Sequence, residues 1–116
     1  MDYANKVVAI TGAARGIGLA MAQAFHARGA RIALADLDGA EAAAETFDGL
    51  GMTVDVAVDS QVAEFIQKTE TVLGPIDVYV SNAGVLMTDE PSWDAAGATD
   101  ANWQLAFEVN LMGAVR

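Results

Sequence analysis

Short runs rich in β-branched residues alternate with longer stretches whose apolar positions recur at helical spacing. Along 116 residues that alternation predicts a β-α-β-α-β-α-β-α chain, a parallel sheet with crossover helices. The first strand spans Lys6 to Thr11, where Val7, Val8, Ala9 and Ile10 form the continuous apolar run of a strand buried on both faces. From Gly16 to Arg28, Ile17, Ala20, Met21, Ala24 and Arg28 follow helical spacing, and Gly29 supplies a stop. Arg31 to Asp36 reads as the second strand, and Asp38-x-x-Glu41 resembles a capping box opening an Ala-rich helix that runs to about Phe47 and is ended by Gly49 and Gly51. Met52 to Val56 gives a third strand. Val62, Phe65, Ile66, Thr69, Val72 and Leu73 form the best helical stripe, stopped by Gly74-Pro75. Ile76, Val78 and Val80 lie in a fourth strand that runs into Ser81-Asn82-Ala83-Gly84. A long loop of mixed polarity to about Ala98 suggests a functional role by its length. A last helix is expected from Thr99 or Asp100, including Trp103, Ala106, Phe107 and Asn110.

Composition narrows the classes. At 12.0 kDa one domain is expected, and 53% hydrophobic residues suffice for a core. Sixteen acidic against six basic residues give a net charge of −10, which disfavours nucleic acid and anionic membrane surfaces as partners. With no cysteine, disulfides, thiolate zinc sites and Cys nucleophiles are excluded, and a cytoplasmic setting is expected. The N-terminus carries too short an apolar run for a signal peptide, and nowhere do enough apolar residues run together to span a bilayer.

The first chemistry-bearing motif is Thr11-Gly12-Ala13-Ala14-Arg15-Gly16-Ile17-Gly18, set between a buried strand and a helix start. Unpaired backbone N–H groups and the helix dipole favour an anion there, and a diphosphate fits. Gly12 permits the tight turn, Gly16 lets a ligand approach the backbone, and Gly18 allows helix to pack closely on strand. The plainer alternative is a glycine-rich connection without a ligand. No Gly-Lys-Ser/Thr follows, so a triphosphate P-loop is disfavoured. Asp36 ends the second strand 18 residues after Gly18, near the spacing at which an acid reaches the adenosine ribose of a dinucleotide. Its carboxylate would repel a 2′-phosphate, by on the order of 4 kcal/mol at about 4 Å and a protein-surface dielectric. NAD is therefore expected over NADP. Asp36 could instead cap the next helix, a task for which Asp38 is better placed.

These residues resemble the N-terminal half of a short-chain dehydrogenase/reductase of the compact single-domain branch. The family's glycine motif appears as Thr11 to Gly18, its Asp-Val after strand three as Asp55-Val56, its Asn-Asn-Ala-Gly as Ser81-Asn82-Ala83-Gly84, and its Val-Asn-leading helix as Val109-Asn110-Leu111. The resemblance implies an α/β fold, a Rossmann-like doubly wound parallel sheet in three αβα layers, incomplete with strands one to four and their helices. It implies that residues 1–116 are a partial NAD(P)-binding domain without the catalytic half. It places Gly12, Arg15, Ile17 and Gly18 on the diphosphate side, Asp36 and Leu37 at the adenosine ribose, Asp55 and Val56 beside the adenine, and Asn82, Ala83 and Gly84 near the nicotinamide ribose. Asp59 rivals Asp55, and either acid could be a helix cap. Ser81 departs from the family's first Asn. Arg15 occupies a position where NADP-using relatives often carry a basic residue, but an Arg on a loop can swing into water, so NAD remains the expectation.

Asn110 matches the Asn of the family's Asn-Ser-Tyr-Lys tetrad, where it interrupts a helix and holds a water linked to the catalytic Lys, though a mid-helix Asn is also commonly a tolerated polar residue. The Tyr-x-x-x-Lys pair that supplies general acid/base chemistry is not found, because Tyr3 and Tyr79 are followed four positions later by Val7 and Ala83. The chain alone is therefore expected to be inactive, a piece of an enzyme moving hydride between an alcohol or carbonyl substrate and nicotinamide. The alternative is a non-catalytic dinucleotide-binding or regulatory module. The resemblance also implies a homo-oligomer for the longer protein, and strand four is expected to present a raw edge prone to association.

Overall fold

The computed structural model describes residues 3–86 and 103–111. In chain order the elements are β1 (Val7–Thr11), α1 (Gly16–Ala27), β2 (Arg31–Asp36), α2 (Ala40–Glu45), β3 (Leu50–Thr53), α3 (Asp59–Val72), β4 (Val78–Leu86) and β5 (Trp103–Leu111). The strands form one sheet in the order β3-β2-β1-β4-β5. The first four are parallel and β5 runs antiparallel to β4.

Each central strand sends alternate residues to opposite faces, so one apolar run feeds two cores. Val8, Ile10, Ile32, Leu34, Val78 and Val80 pack with Ala22 of α1 and with Ala40 and Ala44 of α2. Val7, Ala9, Ala33 and Ala35 pack with Phe65 of α3 and with Ile76 on the other face. This is the three-layer αβα arrangement expected. Two crossovers from β1 lead outward through β2 to β3, and the chain then returns to place β4 on the opposite side of β1. The direction of winding therefore reverses between β1 and β4, and in open parallel sheets ligands sit at such a reversal, outside the carboxyl ends of the strands.

β1, α1 and β2 fall within a residue of their expected limits, but three expectations change. First, no capping box forms. Gly39, at φ 83°, is the N-cap of α2, with no side-chain cap hydrogen bond. Glu41 is instead reached by the Thr53 hydroxyl, which donates to both carboxylate oxygens at 3.1 and 2.9 Å. A backbone hydrogen bond at Glu41, together with Thr53, holds that carboxyl below its ordinary value.

Second, β3 begins at Leu50, not Met52, because Gly49 and Gly51 are sites of close approach and not only breakers. A Cβ at Gly49 would lie 2.2 Å from the Ile32 carbonyl oxygen, and one at Gly51 would lie 2.4 Å from that of Ala40.

Third, the last segment is a strand, not a helix. Residues 103–111 read Trp-Gln-Leu-Ala-Phe-Glu-Val-Asn-Leu, with apolar residues at every odd position, so a period of two is present beside the helical spacing of Trp103, Ala106, Phe107 and Asn110. An unpaired β4 edge decides between the two periods, because a ladder from Val78↔Leu111 to Leu86↔Trp103 gives partners to backbone groups on both strands. The edge expected to be raw is thus covered. Val85 and Leu86 belong to β4, while residues 87–98 of the expected loop lie outside the described residues.

Candidate functional site

Thr11 closes β1, and the chain turns at once through Gly12, whose φ of 63° is a left-handed conformation suited to glycine. Arg15, extended at φ −157°, is the N-cap of α1. No side chain caps that helix, and its first turn carries no acid. Its N-terminal N–H groups and dipole thus have no carboxylate from the helix's own first turn to satisfy them. Ile17, in the first turn, is exposed despite its bulk, at 45%.

The three glycines of the motif differ. A Cβ at Gly12 would lie 2.2 Å from the Asn82 carbonyl oxygen. One at Gly18 would lie 2.2 Å from the Gly12 carbonyl oxygen and 2.8 Å from Asn82 Nδ2. Both are needed for packing of the loop on β4 and of helix on loop. At Gly16, also at φ 63°, a Cβ would meet no described atom within 4 Å. Gly16 therefore bounds open space, as a residue approached by a ligand should.

The loop is held on both flanks. On the β4 side the Asn82 N–H donates to Thr11 Oγ1 at 3.1 Å, and Asn82 Nδ2 donates to the Gly12 carbonyl at 3.2 Å. Thr11 and Asn82 are both buried, and Asn82 Oδ1 is a buried acceptor with no hydrogen-bond partner among the described residues. On the β2 side the Ala13 N–H donates to the Ala35 carbonyl at 3.2 Å, and the Ala14 N–H donates to Asp36 Oδ2 at 2.9 Å. Asp36 Oδ1 accepts from the Leu37 N–H at 2.7 Å. Asp36 therefore caps no helix, and neither does Asp38.

Beyond β3, the Asp55 N–H donates to Gln61 Oε1 at 2.8 Å, and Asp55 Oδ1 accepts from the Ala57 N–H at 2.9 Å. Asp55 thus sits in a side-chain turn ahead of α3, whereas Asp59 is the first residue of that helix. Leu37 and Val56 are exposed at 67% and 47%. They stand just past the carboxyl ends of β2 and β3, at the edge where the glycine loop and Asn82 lie.

Ala83 and Gly84 continue β4, opposite Ala106 and Leu105 of β5. Asn110 does not join this group. It pairs with Tyr79, which in turn pairs with Ala9, so it lies in the body of the sheet two residues short of the level of Thr11. Three residues given no individual role from the sequence make these contacts: Thr11 and Ala14, both inside the glycine motif, and Gln61. Only Thr11 left a signal, a hydroxyl ending an otherwise apolar run.

The open face at Gly16, the uncapped start of α1, an acceptor at the end of β2 and the buried unpartnered Asn82 Oδ1 together fit an elongated anionic ligand with ribose hydroxyls, a dinucleotide. Comparison with known proteins agrees. The family model for short chain dehydrogenases matches residues 6–116, and the chain belongs to that family. It is 38% identical over 120 residues to galactitol 2-dehydrogenase of Agrobacterium fabrum, a match covering 97% of this chain and 44% of that protein. It is 36% identical to D-threitol dehydrogenase of Mycolicibacterium smegmatis, covering 94% and 43%. With NAD-dependent glycerol dehydrogenase of Listeria innocua it shares 31% identity, covering 97% and 44%. The chain spans less than half the length of these relatives. Among the described residues no helix is long and apolar enough to cross a membrane.

Proposed function

We propose that this chain is the cofactor-binding part of an NAD-dependent oxidoreductase that moves hydride between an alcohol or ketone substrate and nicotinamide. The observation that carries the proposal is the closure of the Thr11–Gly18 loop onto Asp36 at the carboxyl end of the parallel sheet.

In this reading the N–H groups at the uncapped start of α1 hold the diphosphate, the Ala13 and Ala14 amides being engaged by Ala35 and Asp36, with Gly16 leaving room for the ligand and Arg15 and Ile17 at its side. Asp36 accepts hydrogen bonds from the adenosine ribose hydroxyls. Leu37 and Val56 offer exposed apolar surface to the adenine, and Asp55 borders it. Asn82, Ala83 and Gly84 line the nicotinamide side. The bound cofactor supplies the hydride acceptor or donor; the chain's own residues bind and orient it. The role that the resemblance gives Asn110 belongs to a helix, so the proposal rests on the other residues.

The family fits either nicotinamide dinucleotide. The preference for NAD rests on the Asp36 carboxylate and is supported by the name of the Listeria relative, an NAD-dependent glycerol dehydrogenase. Calorimetric titration tests it: NAD is expected to bind about tenfold or more tightly than NADP, the partial exposure of Asp36 screening the full repulsion. Equal affinities would refute the assignment. Since the three relatives named above act on polyols by their names, a polyol panel is the natural substrate screen for the longer enzyme.

A further inference from the structure

An ionised carboxylate offers about four lone-pair positions to donors. In Asp36 two are already engaged, Oδ2 by the Ala14 N–H at 2.9 Å and Oδ1 by the Leu37 N–H at 2.7 Å. These bonds differ in reach. Leu37 is the next residue along, so its bond only shapes the end of β2. Ala14 is 22 residues away in the chain and lies inside the glycine loop. That loop has its β4 flank fixed by buried contacts, whereas its β2 flank is held by the Ala13 bond to the Ala35 carbonyl and by this carboxylate.

We propose that Asp36 is a positioning residue for the diphosphate cradle as well as a ribose acceptor: its Oδ2 latches Ala14, and so sets the glycine loop in its binding shape before any ligand arrives. The two lone-pair positions left over match the two hydroxyls of a ribose, so the latch and the ribose contact coexist on one carboxylate. Removing the carboxylate then weakens dinucleotide binding twice, once at the ribose and once, through Ala14, at the diphosphate. This rests on the dinucleotide reading above.

The two roles separate with an NAD analogue lacking both adenosine ribose hydroxyls, 2′,3′-dideoxy-NAD, which has no ribose contact to lose. Asp36→Ala is expected to weaken that analogue about fivefold to tenfold, the loss of one charge-assisted bond partly offset by solvent. In the ligand-free protein it is expected to speed amide hydrogen exchange at Ala14 while Ala9 and Ile10 in β1 keep their protection. Asp36→Asn keeps a neutral acceptor of the same shape and is expected to fall between wild type and Asp36→Ala in both readouts. Should Asp36→Ala fail to fold, Asp36→Asn decides, with faster exchange at Ala14 and unchanged exchange at Ala9 expected. Ala14 exchange and dideoxy-NAD affinity that stay at the wild-type level would overturn the latch. If the unmodified protein takes up no dinucleotide, the functional reading falls, and the exchange measurement still judges the latch.

Discussion

The two flanks of the glycine loop do opposite work. On the β4 flank Thr11, Gly12, Gly18 and Asn82 interlock in a neutral, largely buried knot in which neither Gly12 nor Gly18 has room for an added carbon. On the opposite flank Asp36 is half-buried, holds the loop by a carboxylate, and faces the side where Leu37 and Val56 are left exposed. Glycine serves both, but for unlike reasons: at Gly12 and Gly18 protein fills the space, and at Gly16 nothing described does. Substitutions in the knot should therefore act on stability, and those around the open flank on ligand affinity.

The largest effect is expected at Gly12. Asp36-side chemistry is untouched by Gly12→Ala, but the new Cβ meets the Asn82 carbonyl and the backbone sits at φ 63°. Left-handed strain and overpacking together should cost about 3 kcal/mol or more, read as a fall in Tm of more than about 10 °C. A near-wild-type Tm would show that the knot is loose.

Thr11→Val is next. It preserves shape and removes only the acceptor of the Asn82 N–H, so chemical denaturation should show a loss of about 1–3 kcal/mol with an unchanged denaturant slope. Gly16→Ala sharpens the contrast from the open side. Its stability cost should be limited to about 1–2 kcal/mol of left-handed strain, while NAD affinity falls out of proportion to it. If Gly16→Ala destabilises as much as Gly12→Ala and leaves NAD affinity unaltered, the division between the flanks is wrong.

How far each region could be read from sequence follows from where its determinants lie. β1, α1 and β2 are specified locally, by an apolar run, a helical stripe and glycines at their junctions. Asp36 was identifiable by its spacing from Gly18, but its bond to Ala14 was not, since strand pairing alone brings those residues together. The same holds for Asn82 and Gly12, 70 residues apart. The second role of Gly49 and Gly51 is not legible locally, because a local sequence shows a helix stop but not that a carbonyl of β2 or α2 lies against a strand. The final segment carries two periodicities, and the choice depended on the edge of β4, a tertiary fact outside the segment.

The most direct test is a titration of isotopically labelled protein with NAD, following backbone amide resonances. Shifts concentrated from Gly12 to Gly18 and at Asp36 and Leu37, with the strand amides of β1 little changed, are the result expected of a diphosphate held by the glycine loop. Saturable binding that leaves those amides unmoved, or no binding at all, would contradict the account.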